Sequence, residues 1–243
     1  MTTSIRLRLA AVITAASAVF LILSSGVDLF SADAGGMTIS GTVTVISKNN
    51  KPIRDRSGIV VYLEEVSGNR GFPVSPVPTV VASRDMVFDP PVVVVEAGTA
   101  VRFTNADDIV HNVYSLSMIK PFDLGLMEHG DAASVTFSAP GVARIYCNIH
   151  KKMIGYILVV GNPFFCLAAA DGKYSIKGVP PGTYTITVWY RYGETVRKQV
   201  TIAGNPSPGS GVSSAQGIDF VVTRSRGDPQ HLNKWGKEYD EKY

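Results

Sequence analysis

Cys147, His150 and Met153 stand as Cys-x-x-His-x-x-Met within Ile145-Tyr146-Cys147-Asn148-Ile149-His150-Lys151-Lys152-Met153. A second imidazole, His111, lies 36 residues upstream in Asp107-Asp108-Ile109-Val110-His111-Asn112. Two imidazoles, one thiolate and a weak thioether make up the ligand set of a blue-copper electron-transfer site. The soft thiolate favours Cu(I), imidazole nitrogen suits Cu(II) as well, and a weak axial thioether leaves the ion close to three-coordinate, so neither oxidation state demands a rearrangement. Such a set has no open coordination position, which argues against hydrolysis or oxygen activation.

Taken singly, each of these residues has a plainer reading. A lone cysteine is usually a small buried hydrophobe, a lone methionine core filling, and a lone histidine a satisfied one. Cys147 and Cys166, the only two cysteines, pair as a disulfide in one alternative reading, but the His150 and Met153 spacing would then be coincidence. Cys166, in Phe164-Phe165-Cys166-Leu167, reads as an interior thiol. Met118, Met127 and His129 read as packing and loop positions rather than extra copper ligands, and His231 as a solvated residue of a polar tail.

Counting excludes other classes. Two cysteines rule out a disulfide-dense scaffold, a four-thiolate zinc site and a binuclear copper centre, and four histidines rule out the repeated His-x-His pairs of multicopper oxidases. The net charge of +3 on 243 residues is too small and scattered for a nucleic-acid footprint. No Ser/His/Asp set, paired catalytic carboxylates or phosphate-cradling glycine loop is present, so an enzyme is the weakest reading.

The elements that must position the donors read as β throughout. Short segments rich in Val, Ile, Thr, Tyr and Phe, bounded by turn residues, predict strands at Thr38–Ile46, Ile59–Glu64, Val92–Glu96, Ala100–Asn105, Ala133–Ser138, Gly141–Cys147 and Ile154–Val160. The series continues with Lys173–Ile176, Gly182–Tyr190, Thr195–Ile202 and Gly217–Val222. An antiparallel sandwich is the economical architecture for them, with His111 at the end of the Val101–Asn105 region and the Cys-x-x-His-x-x-Met loop between two strands. Ahead of the body, Arg6 and Arg8 precede an apolar run from Leu9 to Leu23, and Ala32-Asp33-Ala34 offers a cleavage site. Residues 1–34 are therefore expected to be an export signal cut after Ala34. The alternative is an uncleaved membrane anchor, because the apolar stretch reaches 19 residues if extended to Val27. Asn205–Ser214 reads as a Gly/Ser/Pro linker, and the polar segment after Arg224 as an ordered wrap or a loose end.

From about Val80 to Val160 these residues resemble the cupredoxins, the small blue-copper proteins. The ligand-loop spacing is similar to that of amicyanin, Tyr146 before Cys147 to plastocyanin, and His111-Asn112 to the His-Asn pair of plastocyanin and pseudoazurin. The resemblance implies one type 1 copper ion held by His111, Cys147 and His150 with Met153 axial, and Asn112 bracing the two ligand segments. It also implies a Greek-key sandwich and electron passage at the edge of His150 or through Tyr146. Where the family usually has proline, before the first histidine and between cysteine and histidine, this chain has Val110 and Ile149. The flanks, Ile39-Ser40-Gly41-Thr42-Val43 and Asp171–Tyr184, resemble two halves of a carboxypeptidase regulatory-like β-sandwich, which implies scaffold or docking duty. Exported cupredoxins of this composite layout are called methylamine-utilisation-like proteins.

The resulting expectation is an all-β chain with the regulatory-like sandwich at 37–75 and 163–203, the cupredoxin at 76–162, and a linker, candidate last strand and polar tail at 204–243. It would be a periplasmic or otherwise exported single-electron carrier, not an enzyme, touching a membrane only through an uncleaved N-terminal segment. The expected partner is a periplasmic redox protein such as a c-type cytochrome or a dehydrogenase, with no nucleic acid. Lys151 and Lys152 predict an acidic docking face on it, although Asp107 and Asp108 add opposite charge nearby. Copper delivery without redox cycling and a metal-free adhesive sandwich are the competing functions.

Overall fold

The computed structural model describes residues 36–66, 76–203, 217–229 and 231–239. The expected export segment and the Asn205–Ser214 linker lie outside the described residues. Among the described residues there is no helix, hence none long and apolar enough to cross a membrane. The strands are β1 (Met37–Ser47), β2 (Ile59–Leu63), β3 (Thr79–Arg84), β4 (Val87–Asp89), β5 (Val92–Glu96), β6 (Thr99–Asn105), β7 (His111–Ser115) and β8 (Phe122–Met127). They continue with β9 (Ala132–Phe137), β10 (Gly141–Tyr146), β11 (Ile154–Val160), β12 (Phe165–Leu167), β13 (Lys173–Val179), β14 (Gly182–Tyr190), β15 (Val196–Ile202) and β16 (Phe220–Arg224).

Four sheets form two sandwiches. The central one packs β5-β11-β10-β7-β8 against β4-β3-β6-β9, and the flanking one packs β13-β1-β16 against β12-β2-β14-β15. Spatial neighbours distant in sequence, such as the parallel pairs β3·β6 and β5·β11, mark strands that cross between sheets rather than a meander. Period-two alternation decides which side chains face inward. In β6, Thr99, Val101, Phe103 and Asn105 are buried while Arg102 is exposed, and in β13 Tyr174 and Ile176 turn inward. The central core gathers Val81, Phe88, Val101, Phe103, Phe137, Ile145 and Ile157 together with Cys147 and Met153. Each large apolar side chain buried there contributes about 1.5–3 kcal/mol.

β11 departs from alternation: its residues from Gly155 to Val160 are all buried. Ile157 and Val159 face the central core, while Tyr156, Leu158 and Val160 meet Val60, Val92 and Trp189 in a second cluster that joins the two sandwiches. Tyr156 and Trp189 pack with ring centroids 5.8 Å apart. A continuous apolar run is what a strand covered on both faces requires.

Five strands were not expected from the sequence: β3, β4, β7, β8 and β12. The β3–β4 hairpin turns through Asp85 and Met86, both with positive φ (52° and 57°), residues that carry no Gly or Asn turn signal. The last strand is Phe220–Arg224 rather than Gly217–Val222, because its pairing is parallel to β1 from Val43↔Phe220 to Ser47↔Arg224. His111 does not end the Val101–Asn105 strand; it opens β7, a strand of its own.

Candidate metal centre

β10 and β11 are antiparallel neighbours in register from Gly141↔Val159 to Tyr146↔Ile154. The connection between them, Cys147 to Met153, is closed at its base by the Cys147 N–H donating to the Met153 carbonyl (3.2 Å), and inside it the Met153 N–H donates to the His150 carbonyl (3.0 Å). Those two bonds turn Cys147 and Met153 into the core, where neither is exposed, and leave His150 nearer the tip with 8% exposure. The Ile149 N–H points at the Cys147 sulfur at 3.4 Å. β7 lies beside β10 through Tyr114↔Tyr146, which brings His111 against this loop, fully buried.

The Nδ1 atoms of His111 and His150 lie 3.0 Å apart and the Cys147 sulfur 3.6 Å from His150 Nδ1. The donor atoms of the three residues all fall within 4.8 Å of one another. These separations suit one ion making bonds of about 2.0–2.1 Å to nitrogen and about 2.3 Å to sulfur, lengths typical of a small divalent metal. Met153, the fourth donor expected from the sequence, is buried in the same cluster. Soft thiolate, two imidazoles and a thioether in a dry pocket are chemically suited to copper.

A carboxylate fixes the orientation of His111. Its Nε2 lies 2.8 Å from Asp107 Oδ2, so the Nε2–H is donated outward and the Nδ1 lone pair is turned toward His150 and Cys147. Asp107 is itself held: Oδ1 accepts from the Asp85 N–H (2.7 Å) and Oδ2 from the Met86 N–H (3.0 Å). Burial alone would raise the Asp107 carboxyl, but the N–H groups of Met86 and Asp85 and the His111 imidazole outweigh it and hold its pKa below the ordinary value. Behind it Asn105, only 2% exposed, accepts from the Asp107 N–H (2.9 Å) and donates to the carbonyls of Ile109 (2.8 Å) and Met127 (2.9 Å). Burial first, and then the neighbouring His111, push the His150 pKa below its ordinary value, so a neutral imidazole is favoured.

Asp107 and Asn105 were not anticipated as support for the site. The available signal was a polar residue ending an alternating strand, followed four residues before His111 by an aspartate. Asn112 does not brace the ligand loop. Next to His111 in a strand, it points to the opposite sheet face, where it donates to Asp123 Oδ1 (2.8 Å) and the Gly125 carbonyl (2.6 Å) of β8.

The remaining candidates fall elsewhere. Met127 packs in the central core opposite His111, Met118 is 98% exposed, and His129 is exposed near Asp108. Cys166 is a free, partly buried thiol packed against the flanking core, apart from the free Cys147 in the central one. His231 is not a solvated tail residue: its ring packs 4.3 Å from that of Tyr146, and its Nε2 lies 3.0 Å from the Lys151 carbonyl.

Residues 76–160 match the family model of copper binding proteins, plastocyanin/azurin family. The curated protein amicyanin-alpha of Methylorubrum extorquens is 34% identical over 77 residues, a match that takes in 30% of this chain and 65% of that protein, so the chain spans just under two thirds of its relative's length. Among solved structures, a purple cupredoxin from Nitrosopumilus maritimus aligns at 24% identity over 33% of this chain and 98% of that one, with a TM-score of 0.32. A copper-containing nitrite reductase from Thermus scotoductus aligns at 27% identity over 41% of this chain and 25% of that one, with a TM-score of 0.35.

Proposed function

We propose that this chain, whose residues 76–160 match the plastocyanin/azurin family of copper-binding proteins, is an exported type 1 copper protein that carries single electrons. The observation that supports the reading best is the convergence of two imidazole Nδ1 atoms 3.0 Å apart on a buried thiol. His111, Cys147 and His150, together with the buried Met153, would hold the ion. When bound, copper supplies a one-electron change between Cu(I) and Cu(II). The chain's part is to keep the donors still and dry. The Asp107 carboxylate holds the His111 ring, the paired bases of β10 and β11 hold Cys147 and Met153, and burial excludes water as a further ligand.

Export to the periplasm follows from residues 1–34, and the partner is a redox protein such as a c-type cytochrome or a dehydrogenase that meets the exposed Lys151 and Lys152. The flanking strands β1, β2 and β12 to β16 form a carboxypeptidase regulatory-like scaffold. Copper titration of the full chain, followed by an optical spectrum and a redox titration, tests the whole reading. An intense thiolate-to-Cu(II) band that bleaches and returns reversibly supports it. Tight Cu(I) binding without reversible oxidation would make the chain a copper-delivery protein, and absence of stoichiometric uptake would leave a metal-free sandwich.

A further inference from the structure

The described part of the chain beyond β16 lies across the face of the five-stranded sheet opposite its core and reaches the ligand loop. It starts at Asp228, whose carboxylate accepts from the hydroxyls of Tyr192 (3.0 Å) and Tyr156 (3.4 Å), one from each sandwich. It is tied to β8 by Lys234, whose ammonium lies 2.5 Å from Asp123, and to β7 by the Tyr114 hydroxyl, 3.4 Å from the Leu232 carbonyl. A turn at Asn233 follows, with the Trp235 and Lys237 N–H groups both donating to Asn233 Oδ1 (3.0 Å each).

Three contacts from this segment then reach the short stretch that carries two of the copper donors. The Tyr239 hydroxyl donates to the Cys147 carbonyl at 2.8 Å. The Lys234 N–H donates to Asn148 Oδ1 at 2.9 Å, and His231 Nε2–H donates to the Lys151 carbonyl at 3.0 Å. The His231 ring also lies against Tyr146, directly before Cys147, and its Nδ1 is 3.1 Å from the Tyr239 hydroxyl. The bonds thus fall on Cys147, on the residue after it and on the residue after His150. Between Cys147 and Met153 the chain has no proline or glycine turn to fix its own path, and short bonds within the loop restrain it from inside.

We propose that residues 228–229 and 231–239 form a strap that positions the copper-ligand loop, with Tyr239 and His231 as its positioning residues. This rests on the assignment of Cys147 and His150 as copper ligands. The strap holds the Cys147 carbonyl and the peptide after His150 from outside the core, so that the sulfur and the imidazole keep their separation whether or not metal is present.

The test is the alkylation of Cys147 in the metal-free full chain, with each cysteine peptide followed by mass spectrometry. Cys166, in the flanking sandwich, is the internal reference. Tyr239→Phe removes one hydrogen bond to the loop and should speed labelling of Cys147 about fivefold; Tyr239→Phe with His231→Ala removes two and should speed it about thirtyfold. Labelling of Cys166 should not change, nor should Trp235→Ala, a substitution on the exposed side of the strap, move either rate. In the copper-loaded protein Tyr239→Phe should shift or broaden the thiolate-to-copper band, whereas Trp235→Ala should leave it in place. Unchanged Cys147 labelling in both Tyr239 variants, or equal acceleration at both cysteines, would overturn the strap while copper uptake by the parent stands. A parent chain that takes up no copper would overturn the ligand assignment and the positioning role with it.

Discussion

Asp107→Asn is the sharpest perturbation of the metal centre, because it changes one atom and removes one charge. Three donors converge on the two carboxylate oxygens: the Asp85 N–H on Oδ1, and the Met86 N–H with His111 Nε2–H on Oδ2. An asparagine has a single oxygen. The less costly orientation leaves that oxygen with Met86 and His111 and sets an NH2 group against the Asp85 N–H, so one bond to a charged acceptor is lost and the other two are weakened. Bonds to charged groups contribute about 1.5–3 kcal/mol each, and the Asp107 side chain is only 15% exposed, so solvent replaces little of this. Loss of an outer partner of a metal-binding histidine typically costs about 10- to 100-fold in metal affinity, equivalent to about 1.4–2.8 kcal/mol. The two routes agree, and the expected result is a copper affinity reduced 10- to 100-fold in a chain that still folds. Competition titration against a copper chelator measures it, with circular dichroism as the check on folding. An affinity within twofold of the parent would show that the carboxylate does not orient His111.

Met153→Leu conserves buried volume, so apo stability should fall by less than about 1.5 kcal/mol in urea denaturation, while the reduction potential of the loaded protein shifts; an unmoved potential would remove Met153 from the ligand set. Because the folded pKa of His150 lies below its unfolded value of about 6.5, the unfolded chain binds the proton first, and apo stability should fall as pH drops below that point, by at most about 1.4 kcal/mol per unit for this group. The depressed Asp107 adds a second loss, its stabilisation being present above about pH 3.9 and disappearing as pH falls through the folded value. Denaturation midpoints of the parent and of His150→Gln at pH 7 and pH 5 check the first of these, and equal stability of the parent at both would contradict it. Trp189→Ala should cost about 3–5 kcal/mol by opening the cluster between the sandwiches, and thermal unfolding should then split into two transitions. The copper band should be unaltered.

The grouping of Cys147, His150 and Met153 was legible because they lie within seven residues of one another, a spacing that a strand-loop-strand connection brings together by local geometry alone. What placed His111 was not legible. β7 and β8 carry Asn112, Asp123 and Gly125, residues depleted in strands, and they persist because β10 and the strap cover the sheet around them. The same holds for Asp107, whose role depends on the N–H groups of a hairpin more than twenty residues away. Sequence pattern carries local periodicity; it does not carry which distant backbone donors will meet a given carboxylate. The polar tail was ambiguous for a related reason. The Tyr239 hydroxyl, Lys234 ammonium and His231 imidazole look solvated in sequence, yet they meet the Cys147 carbonyl, the Asp123 carboxylate and the Lys151 carbonyl.

β11 ties these parts together. One of its faces carries Ile157 and Val159 into the core that holds Cys147 and Met153, and the other carries Tyr156, Leu158 and Val160 into contact with the flanking sandwich. The Tyr156 hydroxyl then meets Asp228, where the strap begins, and β16, from which the strap emerges, is itself zipped to β1 of the flanking sandwich. The ligand loop is therefore restrained from both ends of the chain's topology, by β11 at its base and by the strap over its carbonyls. The flanking sandwich is then more than ballast for the central one. It anchors the strap, and a substitution at the Tyr192–Asp228 contact, which involves none of the candidate donors, should loosen Cys147 in the same labelling assay. Tyr192→Phe, which removes one hydroxyl 3.0 Å from Asp228, is expected to raise the Cys147 rate two- to fivefold, about the effect of one ordinary hydrogen bond. An unchanged rate would confine the strap's hold to its last few residues.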